Sequence, residues 1–189
     1  GERGERDARG GQRAQARRPL NKLVGLWEKD AAKLRKLAVL QVRSDNLAGA
    51  RKSLETALLQ NMLDYGVRLD LARLSMKDGD LDAAQSLAAK LELEYGANSQ
   101  LSLLNGEIQL LRENFNQAQE YFTAAAEQDR TNTAALLHLY ELSIRGHGAK
   151  AFAGLLEQRI AREPQPAWVV KLLADSYLSQ GEADLATPH

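Results

Sequence analysis

The sequence predicts an all-α protein, a right-handed α-solenoid in which antiparallel helical hairpins stack on one another. The first observation is an internal repeat: residues 78–125 hold two copies of one pattern, a polar turn, a small residue and then a helical run. Ala84 of the first copy and Ala118 of the second lie 34 positions apart. The second observation is a hydrophobic content of 44%, which supplies enough apolar surface for a continuous core. An interval of this length is typical of stacked hairpins, because one hairpin cannot bury its apolar face alone.

The same interval extends in both directions along the chain. It divides residues 31–189 into four full units and a partial fifth, at 31–64, 65–98, 99–132, 133–166 and 167–189. Pro19 and the apolar spacing after it predict a preceding helix over 19–29, part of a degenerate unit at 19–30, with Trp27 in the core. Residues 1–18 are rich in glycine and arginine, which predicts a linker or a tag-like segment. An arginine-rich arm that binds an acidic surface is the alternative there.

The units resemble tetratricopeptide repeats over residues 31–189. That family carries a small residue at the eighth, the twentieth and the twenty-seventh position of each hairpin, where two helices approach closely. The eighth positions here hold Ala38, Ala72, Gly106, Tyr140 and Ala174, the twentieth hold Ala50, Ala84, Ala118, Phe152 and Ala186, and the twenty-seventh hold Ala57, Leu91, Ala125 and Arg159. Unit 133–166 departs at all three positions, so its packing is expected to differ. Divergent repeats rich in Ala, Leu and Gln are similar to bacterial members of the family, which often serve envelope, secretion or polysaccharide systems.

Cap residues place the helix starts within these units. Asp30, Asp64 and Asn98 are predicted to cap the first helices of the first three units. The apolar stripe of the helix that begins at residue 31 leaves open whether Leu40 or Gln41 belongs to the buried face.

Charge and cysteine content exclude several classes of protein. Lys plus Arg number 25 and Asp plus Glu number 25, which gives no formal net charge. Nucleic-acid binders need a basic surface, so we expect no nucleic acid as a partner. The chain has no cysteine and therefore no disulfide and no thiolate metal site. No run reaches the ~18–20 apolar residues of a membrane span. We expect a soluble cytoplasmic or periplasmic chain without direct membrane insertion, and part of a longer protein, because the fifth unit stops within its second helix.

No constellation for catalysis is visible in the sequence. It has three histidines, His138, His147 and His189, and no HExxH, glycine-rich phosphate loop or GxSxG motif. His138 precedes Glu141 by three residues, a spacing compatible with a metal or acid–base pair. No third ligand lies at a matching position, so an exposed polar face is favoured there. We expect a non-enzymatic chain that needs no cofactor and no metal.

The resemblance to tetratricopeptide repeats implies a concave groove, lined by the first helices, that binds an extended peptide or a partner helix. The groove residues are then Arg35, Lys36, Arg43, Asp70, Arg73, Lys77, Leu103, Glu107, His138, Glu141, Trp168, Lys171 and Asp175. The first two units supply mostly cations, whereas Glu107, Glu141 and Asp175 recur in the later ones. This division would orient a partner that has one acidic and one basic end.

Alternatives remain open at this groove. Its charges either bind a partner or merely keep the first helices solvated. Trp168 is either an aromatic anchor for a partner or a residue that packs against the preceding unit. The asparagines with which some members of the family grip a terminal carboxylate are not matched, since those positions hold Val39, Asp70 and Leu104. That mode of recognition is not expected.

Two functions fit these observations. The first is a non-enzymatic protein–protein interaction scaffold that binds a peptide or a partner domain along the concave face. The second is an assembly or targeting arm of a larger enzyme, or of a bacterial envelope, secretion or polysaccharide complex, whose active part lies outside residues 1–189. A homodimer through the incomplete last unit, with Leu172, Leu173 and Leu185 exposed, is a further prediction.

Overall fold

The computed structural model describes residues 19–162, 164–179 and 181, and the regular secondary structure within these ranges is helical. The helices are α1 (19–26), α2 (Ala31–Arg43), α3 (Leu47–Leu58), α4 (Tyr65–Lys77), α5 (Leu81–Tyr95), α6 (Ser99–Leu111), α7 (Phe115–Gln128), α8 (Thr133–Ile144), α9 (Ala149–Arg162) and α10 (Ala167–Ser179). Over the same described ranges, none of the helices combines the length and the hydropathy required to span a bilayer.

The helices follow one another as hairpins. The first helices α2, α4, α6, α8 and α10 begin at residues 31, 65, 99, 133 and 167, which reproduces the interval seen in the sequence. In each hairpin the first helix packs on the second, and α3, α7 and α9 also pack on the first helix that follows them. The chain divides into two compact units, the first ending at Gly96 and the second beginning at Ala97. The predicted all-α fold of consecutive helical hairpins is confirmed.

Short polar side chains precede most of these helices, and residues in the left-handed conformation follow several of them. Asp30, Asp64 and Asn98 accept hydrogen bonds from backbone N–H groups in the first turns of α2, α4 and α6, so these three predicted caps are confirmed. Two residues after α4 the turn is made by Gly79, whose φ is 88°. The corresponding residue after α6 is Glu113, which holds the same left-handed conformation at φ 61° without being glycine.

Side chains of α1 to α4 form a hydrophobic cluster in the core of the first unit, and Leu87 of α5 packs against it. α1 ends at residue 26, before the predicted end, and Trp27 follows in a turn but still packs against this core. Gln41 is buried whereas Leu40 is exposed. The reason is that the Gln41 amide accepts from Ser53 Oγ at 2.6 Å and donates to Asn21 Oδ1 at 3.1 Å. A buried amide bonded on both sides is tolerated in a core, and this one ties α1 to α2 and α3.

The small residues of the repeat pattern lie where helices meet. Ala50, Ala84 and Ala118 are each fully buried, as predicted. Gly106 of α6 marks a tight approach, since a Cβ built there would lie 2.5 Å from Cε1 of Phe122 on α7. Glycine therefore lets the Phe122 ring lie directly on the backbone of α6.

The hairpin of α8 and α9 holds large residues where its neighbours hold small ones. Tyr140 packs against the core of the second unit, and Phe152 is buried within it. Arg159 is 7% exposed. Its guanidinium donates hydrogen bonds to the carbonyl oxygens of Ala126 and Arg130, at the C-terminal end of α7 and in the turn beyond it. A cation at this position satisfies buried carbonyls and opposes the negative end of the helix dipole.

One expectation about the end of the chain is wrong. Leu172 is buried and Leu173 packs against the core of the second unit, so neither supplies the exposed surface predicted for a homodimer. The reason is that α10 contacts both α8 and α9. Leu185 and Ala186 lie outside the described residues, as does the segment 1–18. The homodimer itself stays a prediction.

Candidate functional site

Two clefts lie between neighbouring first helices, one in each unit. The α2–α4 cleft has a volume of about 290 Å³ and is lined by Arg35, Ala38, Val39, Val42, Arg43, Leu54, Asp70, Arg73, Leu74 and Lys77. The α8–α10 cleft has a volume of about 450 Å³ and is lined by Thr133, Leu137, Tyr140, Trp168, Lys171, Leu172 and Asp175. Eight of the thirteen predicted groove residues line one cleft or the other.

Positive charge surrounds the α2–α4 cleft. Arg35 and Arg43 come from α2, and Arg73 and Lys77 come from α4. Asp70 is the carboxylate among the described lining residues, and its Oδ2 lies 2.8 Å from Nη2 of Arg35. Its Oδ1 lies 3.9 Å from Nη1 of Arg73. Asp70 thus lies close to two of the four cations. The other two, Arg43 and Lys77, have no ion-pair partner within the described ranges.

The floor of the α2–α4 cleft is aliphatic. Val39 is 55% exposed although it is apolar. Val42 is half-buried beside it, while Leu54 of α3 and Leu74 of α4 are buried below. None of the described lining residues carries an amide or a hydroxyl group. A group entering this cleft therefore meets hydrocarbon at the floor and guanidinium or ammonium groups at the rim.

The α8–α10 cleft is more aromatic. Tyr140 of α8 and Trp168 of α10 both line it, and Trp168 is 39% exposed. The Tyr140 hydroxyl donates to Asp175 Oδ2 at 3.4 Å. Desolvation and the Asp175 carboxylate both raise the pKa of the Tyr140 phenol, so the hydroxyl stays a neutral donor at ordinary pH. Lys171 adds one exposed cation to this cleft.

Three further predicted residues, Glu107, His138 and Glu141, lie together in the second unit. Nε2 of His138 lies 3.4 Å from Oε1 of Glu107 on α6, and its Nδ1 lies 3.5 Å from Oε2 of Glu141 on α8. Nδ1 is buried and its geometry satisfies no hydrogen bond to a described residue, so Glu141 attracts the ring through charge when the ring is protonated. The ring stacks on Phe122 of α7, with 4.6 Å between centroids. The exposed polar face favoured by the sequence is wrong at His138, because its ring is half-buried among α6, α7 and α8.

The charge of His138 is controlled by these neighbours. The interaction with Glu107 is the largest cause that raises the pKa of His138, and the Glu141 carboxylate acts in the same direction. Partial burial opposes them. The two carboxylates lie on different sides of the ring, one at each nitrogen. Within the described ranges, no group of three or more His, Cys, Asp or Glu side chains is placed to hold a metal ion.

The other predicted groove residues lie elsewhere, and some lining residues were missed. Lys36 is exposed on α2 but does not line the cleft. Leu103 is half-buried and packs against the core of the second unit. Val42, Leu137 and Tyr140 also line the clefts and were not among the predicted groove residues. The signal available for Tyr140 was a large ring at the position of a small residue, which indicates that the helices pack differently there.

Comparison with solved structures gives several neighbours of the same fold. The structure of Naa15/Naa10 bound to HypK-THB has a TM-score of 0.65 and 17% identity, covering 82% of this chain and 24% of that chain. PilF of Pseudomonas aeruginosa has a TM-score of 0.62 and 19% identity, covering 98% of this chain and 89% of its own. YrrB, described as a TPR protein with an unusual peptide-binding site, has a TM-score of 0.54 and 15% identity, covering 88% and 86%.

No protein-family model matches the chain, and no curated protein matches it. The chain spans about a quarter of the matched chain in the Naa15/Naa10 structure but most of YrrB and PilF. These identities are low, so the comparisons establish similarity of fold and leave the residues of the clefts to be judged by their own chemistry.

Proposed function

We propose that this chain, whose fold is that of tetratricopeptide-repeat proteins, is a non-enzymatic scaffold that binds a peptide or a partner domain on the first helices of its hairpins. The observation that supports the proposal is the composition of the two clefts, which are lined by predicted groove residues and combine exposed apolar side chains with charge. A surface whose charges served only for solvation would not need Val39 and Trp168 exposed among them.

The size of the α2–α4 cleft favours a polypeptide over a cofactor. Pockets for small molecules run from about 300 to 1,000 Å³ and enclose most of their ligand. The α2–α4 cleft, at about 290 Å³, matches one or two side chains of a larger partner. Two proteins of similar fold support this class of partner. YrrB is described as having an unusual peptide-binding site, and Naa15/Naa10 was solved bound to HypK-THB.

The test is selection of a displayed library of random peptides against the full chain, followed by fluorescence anisotropy of each selected peptide. Val39→Asp alters the α2–α4 cleft, and Trp168→Ser alters the α8–α10 cleft. We expect every selected peptide to lose about tenfold or more in affinity for one of these two variants, because exposed apolar anchors carry much of the energy at such interfaces.

Exposed charges on second helices provide the matched controls. Glu120→Lys on α7 and Lys150→Glu on α9 change charge away from both clefts. Affinities should stay within about twofold in these controls, as expected for isolated surface charges. Selected peptides that bind all four variants as they bind the parent chain, or a library that yields no binder, would contradict the proposal.

A further inference from the structure

We infer that the α2–α4 cleft takes an acidic peptide segment in which carboxylate side chains flank an aliphatic one. The inference rests on the proposed function and adds to it the chemistry of the partner at one of the two clefts.

The α2–α4 cleft is positively charged, whereas the chain as a whole is not. The whole chain carries equal numbers of cationic and acidic residues, 25 of each. Around the α2–α4 cleft the described lining holds four cations and the carboxylate of Asp70. That carboxylate is occupied by Arg35 at 2.8 Å. The remaining positive charge is a local property of this cleft, and carboxylates of a partner would neutralise it.

The floor of the α2–α4 cleft offers hydrocarbon to a partner. Val39 exposes more than half of its surface between the cations, and no described lining residue offers a polar uncharged group. An aliphatic side chain of the partner would cover Val39 and Val42 and remove hydrocarbon from water on both sides. Phosphates of a nucleic acid would also suit the cations, but the described lining has no aromatic ring on which a base could stack. An acidic and aliphatic peptide fits both features.

The spacing of the cations along α2 and α4 sets the spacing expected for the carboxylates of the partner. Arg35 and Arg43 are eight residues apart on α2, and Arg73 and Lys77 are four apart on α4. A rise of 1.5 Å per residue separates these pairs by about 12 Å and about 6 Å. An extended peptide spans about 3.3 Å per residue. Its carboxylates should therefore lie about two to four positions apart, with the aliphatic residue between them.

The chain does not supply such a segment from its own N-terminal region. Residues 1–18 contain six arginines and three acids, so their charge has the same sign as the cleft. We assign the occupant to a partner protein, because its acidic and aliphatic side chains would complement the cations and the exposed hydrocarbon of the cleft.

The test uses the full chain and three fluorescein-labelled peptides of nine residues with blocked ends. The first has leucine at its centre, glutamate two and four positions to each side, and serine elsewhere. The second replaces glutamate with lysine, and the third replaces the leucine with serine. Anisotropy at low ionic strength should show the first peptide binding about tenfold or more tightly than either of the others, and added salt should weaken it.

Variants assign the binding to the cleft. Arg43→Glu with Lys77→Glu breaks no ion pair among the described residues, so the helical circular dichroism should be unchanged. Affinity for the first peptide should fall about tenfold or more. Lys52→Glu with Lys90→Glu makes the same change of charge on exposed positions of α3 and α5, and its affinity should stay within about twofold.

Three results would overturn the inference. One is a lysine peptide that binds as tightly as the glutamate peptide, and another is a glutamate peptide that does not saturate up to about 1 mM. The third is a single-stranded oligonucleotide that binds more tightly than the glutamate peptide and depends on Arg43 and Lys77. The inference can also fail separately from the proposed function: selected library peptides that are not acidic but still require Val39 would remove the inference and leave the scaffold in place.

Discussion

Gly106→Ala tests whether the close contact between the α6 backbone and Phe122 of α7 stabilises the second unit. The added Cβ would lie 2.5 Å from Cε1 and 2.6 Å from Cδ1 of Phe122. Carbon atoms prefer separations of about 3.5–4.0 Å, so the ring would have to move by about 1 Å. Phe122 is fully buried and stacked on His138, so its ring could move only by displacing neighbouring side chains.

The magnitude follows from two opposing effects. Alanine stabilises a helix interior by about 1 kcal/mol relative to glycine. Overpacking of a well-packed core costs about 1–3 kcal/mol, and a rigid ring at this distance belongs at the upper end. The free energy of unfolding should therefore fall by about 1–2 kcal/mol. Gly154 of α9 is the matched control, since a Cβ there meets no atom within 4 Å. Gly154→Ala should raise the free energy of unfolding by about 1 kcal/mol.

The assay can report on the second unit by itself. The chain has two tryptophans, Trp27 in the first unit and Trp168 in the second. In a Trp27→Phe background, the urea dependence of fluorescence follows Trp168. Phe122→Leu should make room, so that Gly106→Ala becomes neutral or stabilising in that background. If Gly106→Ala stabilised the second unit as much as Gly154→Ala does, the argument from close approach would be refuted.

Two further predictions concern a turn and a histidine. Glu113→Gly should stabilise the second unit by about 0.5–1 kcal/mol, because glycine relieves the left-handed backbone, whereas Gly79→Ala should destabilise the first by about 1–2 kcal/mol. Urea unfolding of both variants checks this, and a destabilising Glu113→Gly would contradict it. The raised pKa of His138 means that the folded state favours the imidazolium. The stabilisation that protonated His138 adds to the folded state is fully present below the pKa of histidine in the unfolded chain, about 6.5. It is lost as pH rises through the higher pKa of His138 in the folded state. The difference in urea midpoint between the parent and His138→Gln should thus be larger near pH 5.5 than near pH 8.5, and equal differences would count against the assignment.

Much of the fold was predictable because its determinants are local. The caps Asp30, Asp64 and Asn98 bond to N–H groups two or three residues away. The apolar stripes follow the period of one helix, and the positions of Ala50 and Ala84 follow from the constant interval between hairpins. Such features need no knowledge of what lies across the core.

The clefts were predictable only in outline. The resemblance to a known repeat family implied that the first helices carry the site, and most of the residues chosen do line the clefts. The charge balance within a cleft was not predictable, since it depends on which cation Asp70 meets. Asp70 pairs with Arg35, a residue 35 positions away. The state of His138 likewise depends on Glu107, one hairpin earlier in the chain.

By itself, the sequence determined that the chain forms helical hairpins at a constant interval, where the first helices of the first three units start, and which small residues are buried. Those properties arise from backbone capping and from the spacing of apolar side chains along one helix. Tertiary structure alone decided that Gln41 is buried in place of Leu40, that Arg159 bonds to carbonyl oxygens at the end of α7, and that Arg43 and Lys77 find no ion-pair partner among the described residues around Val39. The physical reason is that a polar or charged side chain takes its position from the partner it can reach, and in this chain those partners lie on neighbouring helices.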